Sequence, residues 1–108
     1  MNTRISATMF EQVYEIILER KQSSLDNSYV ASLMEKGTDS ILKKIDEESA
    51  EVILAAKNEN RKEQIHEITD LWFHMLVLMG HQGITLNEIS QEFEHRLGQS
   101  GFEEKAQR

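Results

Sequence analysis

Two short carboxylate motifs carry the chemistry of this chain: Glu47-Glu48-Ser49-Ala50-Glu51 and, sixteen residues beyond Glu51, Glu67-Ile68-Thr69-Asp70. Residues three or four apart share one face of a helix, so Glu48 pairs with Glu51, and Glu67 with Asp70. Two such helices packed antiparallel direct four carboxylates at one point. Like charges that close either take up protons or need a cation. Oxygen ligands in a chain without cysteine suit a hard divalent ion, Mg²⁺ with Mn²⁺ as a substitute. Glu48, Glu51, Glu67 and Asp70 are therefore the expected metal ligands. Glu47 lies beside the pair but further from the core, and is the candidate for orienting or deprotonating a water, or for a second metal; with Glu48 it makes up the expected catalytic pair.

Each group has a plainer reading. Glu47, Glu48 and Glu51 can form a solvated face, with Lys43 to Glu47 and Lys44 to Glu48 as surface pairs worth roughly a few tenths of a kcal/mol each. Glu67 and Asp70 tip the balance, because ionised carboxylates on an otherwise apolar helix cost several kcal/mol unless paired or metal-bound. A di-iron bundle needs two Glu-x-x-His motifs, and only Glu63 with His66 has that spacing. His74, one turn beyond Asp70, is a candidate substrate contact, a partner that hydrogen-bonds a ligand, or a satisfied core histidine. His66, His81 and His95 read as surface or helix-end residues. A carboxylate-held Mg²⁺ keeps several waters and is completed by phosphate oxygens. Lys36 and Lys44 are accordingly the expected phosphate-binding cations, ahead of Lys43, Arg61 and Lys62.

The elements that must position these groups are helical. The chain has 108 residues, no proline and only five glycines, which favours helix. Thr8 to Glu11 fits a capping box opening a first helix to about Gln22. Ser23 to Asn27 reads as a turn, and Ser28 caps a short second helix to Lys36, stopped by Gly37. A third helix is expected from about Asp39 to Lys57, with Ile41, Leu42, Ile45, Val52, Ile53 and Ala56 on one side and Glu47, Glu48 and Glu51 within an arc of about 100° beside it. A fourth, capped by Asn60 and stopped by Gly83, is apolar nearly all round from Ile65 to Met79, apart from Glu67, Asp70 and His74. Such a helix needs cover on every side, which one small chain supplies only partly, so a second subunit is expected. Thr85 to Glu88 is a capping box for a fifth helix to about Leu97, with Ile84 and Ile89 as a staple. Gly98 onward reads as a turn and a short charged segment.

A chain of this length makes one domain, residues 1–108. Its net charge of −7 argues against non-specific nucleic-acid or membrane-surface binding, both of which need a basic patch. Met75 to Met79, the longest apolar run, is too short to span a bilayer. With no signal-peptide apolar region at the N-terminus, a cytoplasmic location is expected.

Glu-Glu-x-x-Glu followed by Glu-x-x-Asp on consecutive helices resembles the MazG-like, all-α nucleotide pyrophosphohydrolase superfamily. Within it, the phosphoribosyl-ATP pyrophosphohydrolase family of histidine biosynthesis is similar over most of the chain from Ser28 on. Five segments carry that resemblance: Ser28 to Leu33, Lys36-Gly37-Thr38-Asp39 continuing to Lys44, Glu47 to Val52, Asp70 to Leu78 including the Asp-x-x-x-His step, and the tail Ser100 to Ala106. Asp46, Thr69 and Phe73 depart from the family's usual glycine, alanine and tyrosine, and the cyclohydrolase domain fused to some relatives is not expected. The resemblance implies a MazG-like bundle of about five helices completed by homodimerisation, and Mg²⁺-dependent hydrolysis of phosphoribosyl-ATP to phosphoribosyl-AMP and pyrophosphate. Two rivals are a house-cleaning NTP or dNTP pyrophosphohydrolase with the same metal site, and a helical scaffold with an acidic face and no metal affinity.

Overall fold

The computed structural model describes residues 2–23 and 28–98. In chain order the helices are α1 (Asn2–Lys21), α2 (Tyr29–Lys36), α3 (Thr38–Lys57), α4 (Arg61–Gln82) and α5 (Leu86–Leu97). The described residues hold no strand, so the expected all-α class is observed. The tail from Gln99, and residues 24–27 of the expected turn, lie outside the described residues.

Local chemistry explains most of the boundaries. The Ser28 side chain accepts from the Ala31 N–H at 3.1 Å and opens α2. Gly37, at φ 99°, closes α2 by donating its N–H to the Met34 carbonyl and leads straight into α3. That φ is a region L side chains rarely occupy, so the tight α2–α3 join needs glycine. Asn60 accepts from the Glu63 N–H at 3.0 Å, and Gly83 ends α4 in the left-handed conformation. At α5 the capping box is complete: the Glu88 N–H donates to Thr85, and the Thr85 N–H donates to the Glu88 carboxylate. Ile84 and Ile89 both stay more than a third exposed.

The start of α1 corrects the sequence expectation. The helix runs unbroken from Asn2, so Thr8 to Glu11 lies inside it. Neither glycine nor proline occurs before Glu11, and a Thr-x-x-Glu pattern without a breaker ahead of it does not start a helix.

The core is built where α1, α2, α3 and the second half of α4 meet. Ile17, Ile41 and Val77, one each from α1, α3 and α4, are fully buried, surrounded by Tyr14, Val30, Leu33, Met34, Leu76 and Met79. Each fully buried side chain of this kind contributes about 1.5–3 kcal/mol. Gly80 lets α1 come close, since a Cβ there would stand 3.2 Å from the Ile17 side chain. Lys21 donates to the Gly80 carbonyl at 3.1 Å, and the Tyr14 hydroxyl donates to the Ile84 carbonyl.

The first half of α4 departs from all-round burial. Ile65 is 57% and Trp72 50% exposed, and Ile68 and Met75 are also open. On α3, Leu42, Ile53 and Leu54 are exposed although two of them belong to the expected apolar side. The elements packed on α4 are α3, α1 and α2, too few to surround a 22-residue helix. Nothing in α5 is buried, and its Phe93 and Leu97 lie open.

Candidate active site

α3 and α4 are separated only by residues 58–60 and pack on each other more extensively than any other pair, so they form an antiparallel hairpin. Glu59 makes the reversal at φ 54°, and the Asn60 N–H donates back to the Ala55 carbonyl at 3.3 Å. This turn sets the register. Glu51 and Glu67 lie equally far from Glu59 along the chain, as do Glu48 and Asp70, and as do Lys44 and His74. Each pair therefore sits at the same level of the hairpin.

The facing carboxylates feel one another. Glu67 has a side chain only 12% exposed. Burial, followed by the charges of Glu48, Glu51 and Asp70, pushes its carboxyl above the ordinary range, with His66 pulling the other way. The four expected ligands are nonetheless not gathered on one point. Among the described residues, the set of three His, Asp or Glu ligand atoms lying within 4.8 Å of one another is His66, Glu67 and Asp70. His66 Nε2 is 3.7 Å from Glu67 Oε1 and 3.4 Å from Asp70 Oδ2. Glu48 and Glu51 face this set from α3. Glu51 and Glu67 also line a cleft of about 230 Å³ together with Leu54, Ala55, Asn58, Asn60 and Glu63.

At the other end of the carboxylates lies the cation. Lys44 Nζ is 3.6 Å from Glu47 Oε1 and 3.7 Å from Glu48 Oε1. Its ammonium is held above its ordinary range first by Tyr29 and then, against the opposing effect of burial, by Glu47 and Glu48. Lys36 is exposed in the last turn of α2 and takes no part in this cluster.

His74 is 6% exposed and both its ring nitrogens are engaged: Nδ1 lies 2.8 Å from the Asp70 carbonyl oxygen and Nε2 lies 2.8 Å from the Tyr29 hydroxyl. The group that emerges from this chain of bonds is Tyr29, which is 52% exposed. Burial raises its phenol, as do the charges of Glu48, Glu47 and Asp70, while Lys44 lowers it. His74 thus stands behind Tyr29 rather than at the surface of the site.

Sequence reasoning passed over Tyr29 and His66. For His66 a signal was present, since it is one helical turn before Asp70 on the same face. For Tyr29 there was none, because nothing along the chain says that α2 delivers its first residue to His74 of α4.

Comparison with known proteins bears on what such a site does. The sequence pattern of the family described as "Phosphoribosyl-ATP pyrophosphohydrolase" matches residues 10–97. A protein of Ruthia magnifica named phosphoribosyl-ATP pyrophosphatase is 53% identical over 98 residues, 91% of this chain and 90% of its own length. Proteins with that name from Geobacter metallireducens and Aromatoleum aromaticum are 49% and 45% identical, covering 93% and 96% of this chain and 92% and 96% of theirs. The match takes in both carboxylate motifs, Lys44, Tyr29 and His74, and at this identity and coverage the chain belongs to the phosphoribosyl-ATP pyrophosphohydrolase family.

Proposed function

We infer that this chain hydrolyses phosphoribosyl-ATP to phosphoribosyl-AMP and pyrophosphate, in histidine biosynthesis, with Mg²⁺ as its cofactor. The observation that carries the reading is the level-by-level facing of Glu48 with Asp70 and Glu51 with Glu67 across the hairpin, in a chain of this family. Carboxylates facing one another across two helices are a donor set suited to a divalent cation, and all four offer the hard oxygens Mg²⁺ takes. Glu48, Glu51, Glu67 and Asp70 would hold it, with Mn²⁺ as a substitute and His66 a nitrogen within reach of the latter. When bound, the ion would neutralise phosphate charge and make a water more acidic.

The chain's own residues do the rest. Glu47 takes a proton from the attacking water as its oxygen bonds to the α-phosphorus. The bond from that phosphorus to the oxygen bridging toward the β-phosphate breaks, and pyrophosphate leaves with the electron pair. Lys44, already between Glu47 and Glu48, offers its ammonium to the departing charge. Lys36 supplies a more distant positive charge, and His74 acts through Tyr29.

A homodimer belongs to the same reading. The open first half of α4 exposes Ile65, Ile68 and Trp72 beside the carboxylates, and a second copy would cover it. No helix among the described residues is long and apolar enough to cross a membrane, which agrees with the proposed cytoplasmic location.

Pyrophosphate release from phosphoribosyl-ATP, ATP and a dNTP panel, each with Mg²⁺ and with EDTA, tests the proposal. Release confined to phosphoribosyl-ATP and abolished by EDTA is expected. Comparable release from dNTPs would replace the substrate and keep the site; release unaffected by EDTA would remove the metal.

A further inference from the structure

We propose that the cleft between Glu51 and the turn of the α3–α4 hairpin holds the nucleoside end of phosphoribosyl-ATP, so that the substrate lies along the hairpin with its departing pyrophosphate at Lys44; the assignment rests on the hydrolase reading above. The order of groups along the hairpin carries the argument. The carboxylates occupy two adjoining levels, Glu48 with Asp70 and Glu51 with Glu67. Four residues before Glu48 comes Lys44, whose Nζ is 3.7 Å from Glu48 Oε1. Four residues beyond Glu51 comes Ala55, in the lining of the cleft. At a rise of about 1.5 Å per residue, the backbone of the cation and that of the cleft lie roughly 6 Å to either side of the carboxylates.

The bond to be broken belongs in the middle of that row. The α-phosphorus carries the bridge to the β-phosphate on one side and the 5′-oxygen of the nucleoside on another, so with phosphorus at the carboxylates the two parts of the substrate run in different directions. The two ends of the row differ in charge. At one end Lys44 offers an ammonium, the group that a leaving pyrophosphate needs. At the other, Glu51, Glu63 and Glu67 line the cleft, and none of the described residues lining it is basic. Arg61 and Lys62 open α4 near that end but do not line the cleft. Pyrophosphate placed there would set its several negative charges against Glu63 as well as against the expected metal ligands. The nucleoside carries no such charge.

The lining also suits a nucleoside in kind. Its volume of about 230 Å³ is below the roughly 300–1,000 Å³ of a pocket that takes a whole small molecule, so it receives one part of the substrate. Ala55 is buried, while Leu54 is 54% exposed and leaves apolar surface for a purine ring to cover. The Glu63 carboxylate and the Asn58 carbonyl oxygen accept hydrogen bonds. A base and a ribose have N–H and O–H groups to give them, and a fully ionised phosphate has none.

The two products separate the ends of the site. With Mg²⁺ and the full chain, phosphoribosyl-AMP should shift the NMR resonances of the Leu54 methyl groups and the Asn58 side-chain amide, and inorganic pyrophosphate should leave both unmoved. In calorimetric titrations, Leu54→Ser should weaken phosphoribosyl-AMP binding about five- to tenfold and change pyrophosphate binding less than about twofold. Lys44→Gln should do the reverse. In turnover, Leu54→Ser should raise KM with kcat nearly constant, the pattern of a contact made equally in the ground and transition states. Pyrophosphate that moves the Leu54 and Asn58 resonances, or that binds more weakly to Leu54→Ser, overturns the orientation. Phosphoribosyl-AMP that moves neither resonance and binds Leu54→Ser unchanged overturns the subsite. If the unaltered chain releases no pyrophosphate from phosphoribosyl-ATP, the hydrolase reading fails and takes the subsite with it; release from a chain whose cleft ignores phosphoribosyl-AMP defeats the subsite alone.

Discussion

The two halves of α4 both carry apolar residues, four of eight from Ile65 to Trp72 and five of seven from His74 to Gly80, and they are used in opposite ways. From His74 to Gly80 the helix is sealed apart from Met75, with His74, Leu76, Val77, Met79 and Gly80 buried against α1, α2 and α3. From Ile65 to Trp72 it is open, and there it carries Glu67 and Asp70. One apolar pattern thus serves two purposes: in one half it makes a core, in the other it surrounds charged groups with surface that removes water. Burial and the facing charges make the Glu67 carboxylate costly to ionise and so favour a cation that relieves it.

The largest expected effect distinguishing the halves is catalytic. If these residues hold the proposed metal, Glu67→Gln or Glu48→Gln should cut pyrophosphate release about a hundredfold, while the metal-free melting temperature holds or rises. A fall in melting temperature with activity retained would make these carboxylates structural. Next is assembly: if the chain forms the proposed dimer, Ile65→Asp on the open half should leave it monomeric, read as a halved mass in sedimentation. An unchanged mass would show that the open half is not the covered surface. On the sealed half, Val77→Ala removes two fully buried methyl groups and should cost about 2 kcal/mol in urea unfolding, with metal affinity unaltered.

The smallest effect concerns pH. The Glu67 carboxyl is raised above its ordinary value of 4.5 in the folded chain. The folded state therefore binds its proton more tightly than the unfolded state does. That contribution to stability is fully present below about pH 4.5 and is lost as pH rises through the raised value. Without Mg²⁺, stability should show this decline, and Glu67→Gln should flatten it. A decline of the same depth in the variant would assign it to another group.

Much of this was legible along the chain because it depends on local rules. Ser28, Gly37, Asn60, Gly83 and Thr85 are punctuation that acts within one helical turn, and each marks the boundary expected of it. The facing of Glu48 with Asp70 and Glu51 with Glu67 also follows from spacing, once Glu59 is taken as the turn. What was hidden depends on which element lies beside which. The open half of α4 is a matter of how few helices reach it, and its apolar residues look the same in sequence as those of the sealed half. The bond from Tyr29 to His74 joins residues 45 apart, so no periodicity reports it. Thr8 to Glu11 failed for a local reason: its pattern marks a helix start only where something has stopped the chain before it.

One consequence of α2 reaches beyond geometry. It has eight residues, below the roughly 12–15 at which an isolated helix persists in water, and it exists because Val30, Leu33 and Met34 are docked. An element of that kind has no partially folded life of its own. Its backbone amides should be protected from solvent only while that docking holds, and exchange as a group when it is lost. Loss of that docking would take Tyr29 away from His74 and from the site.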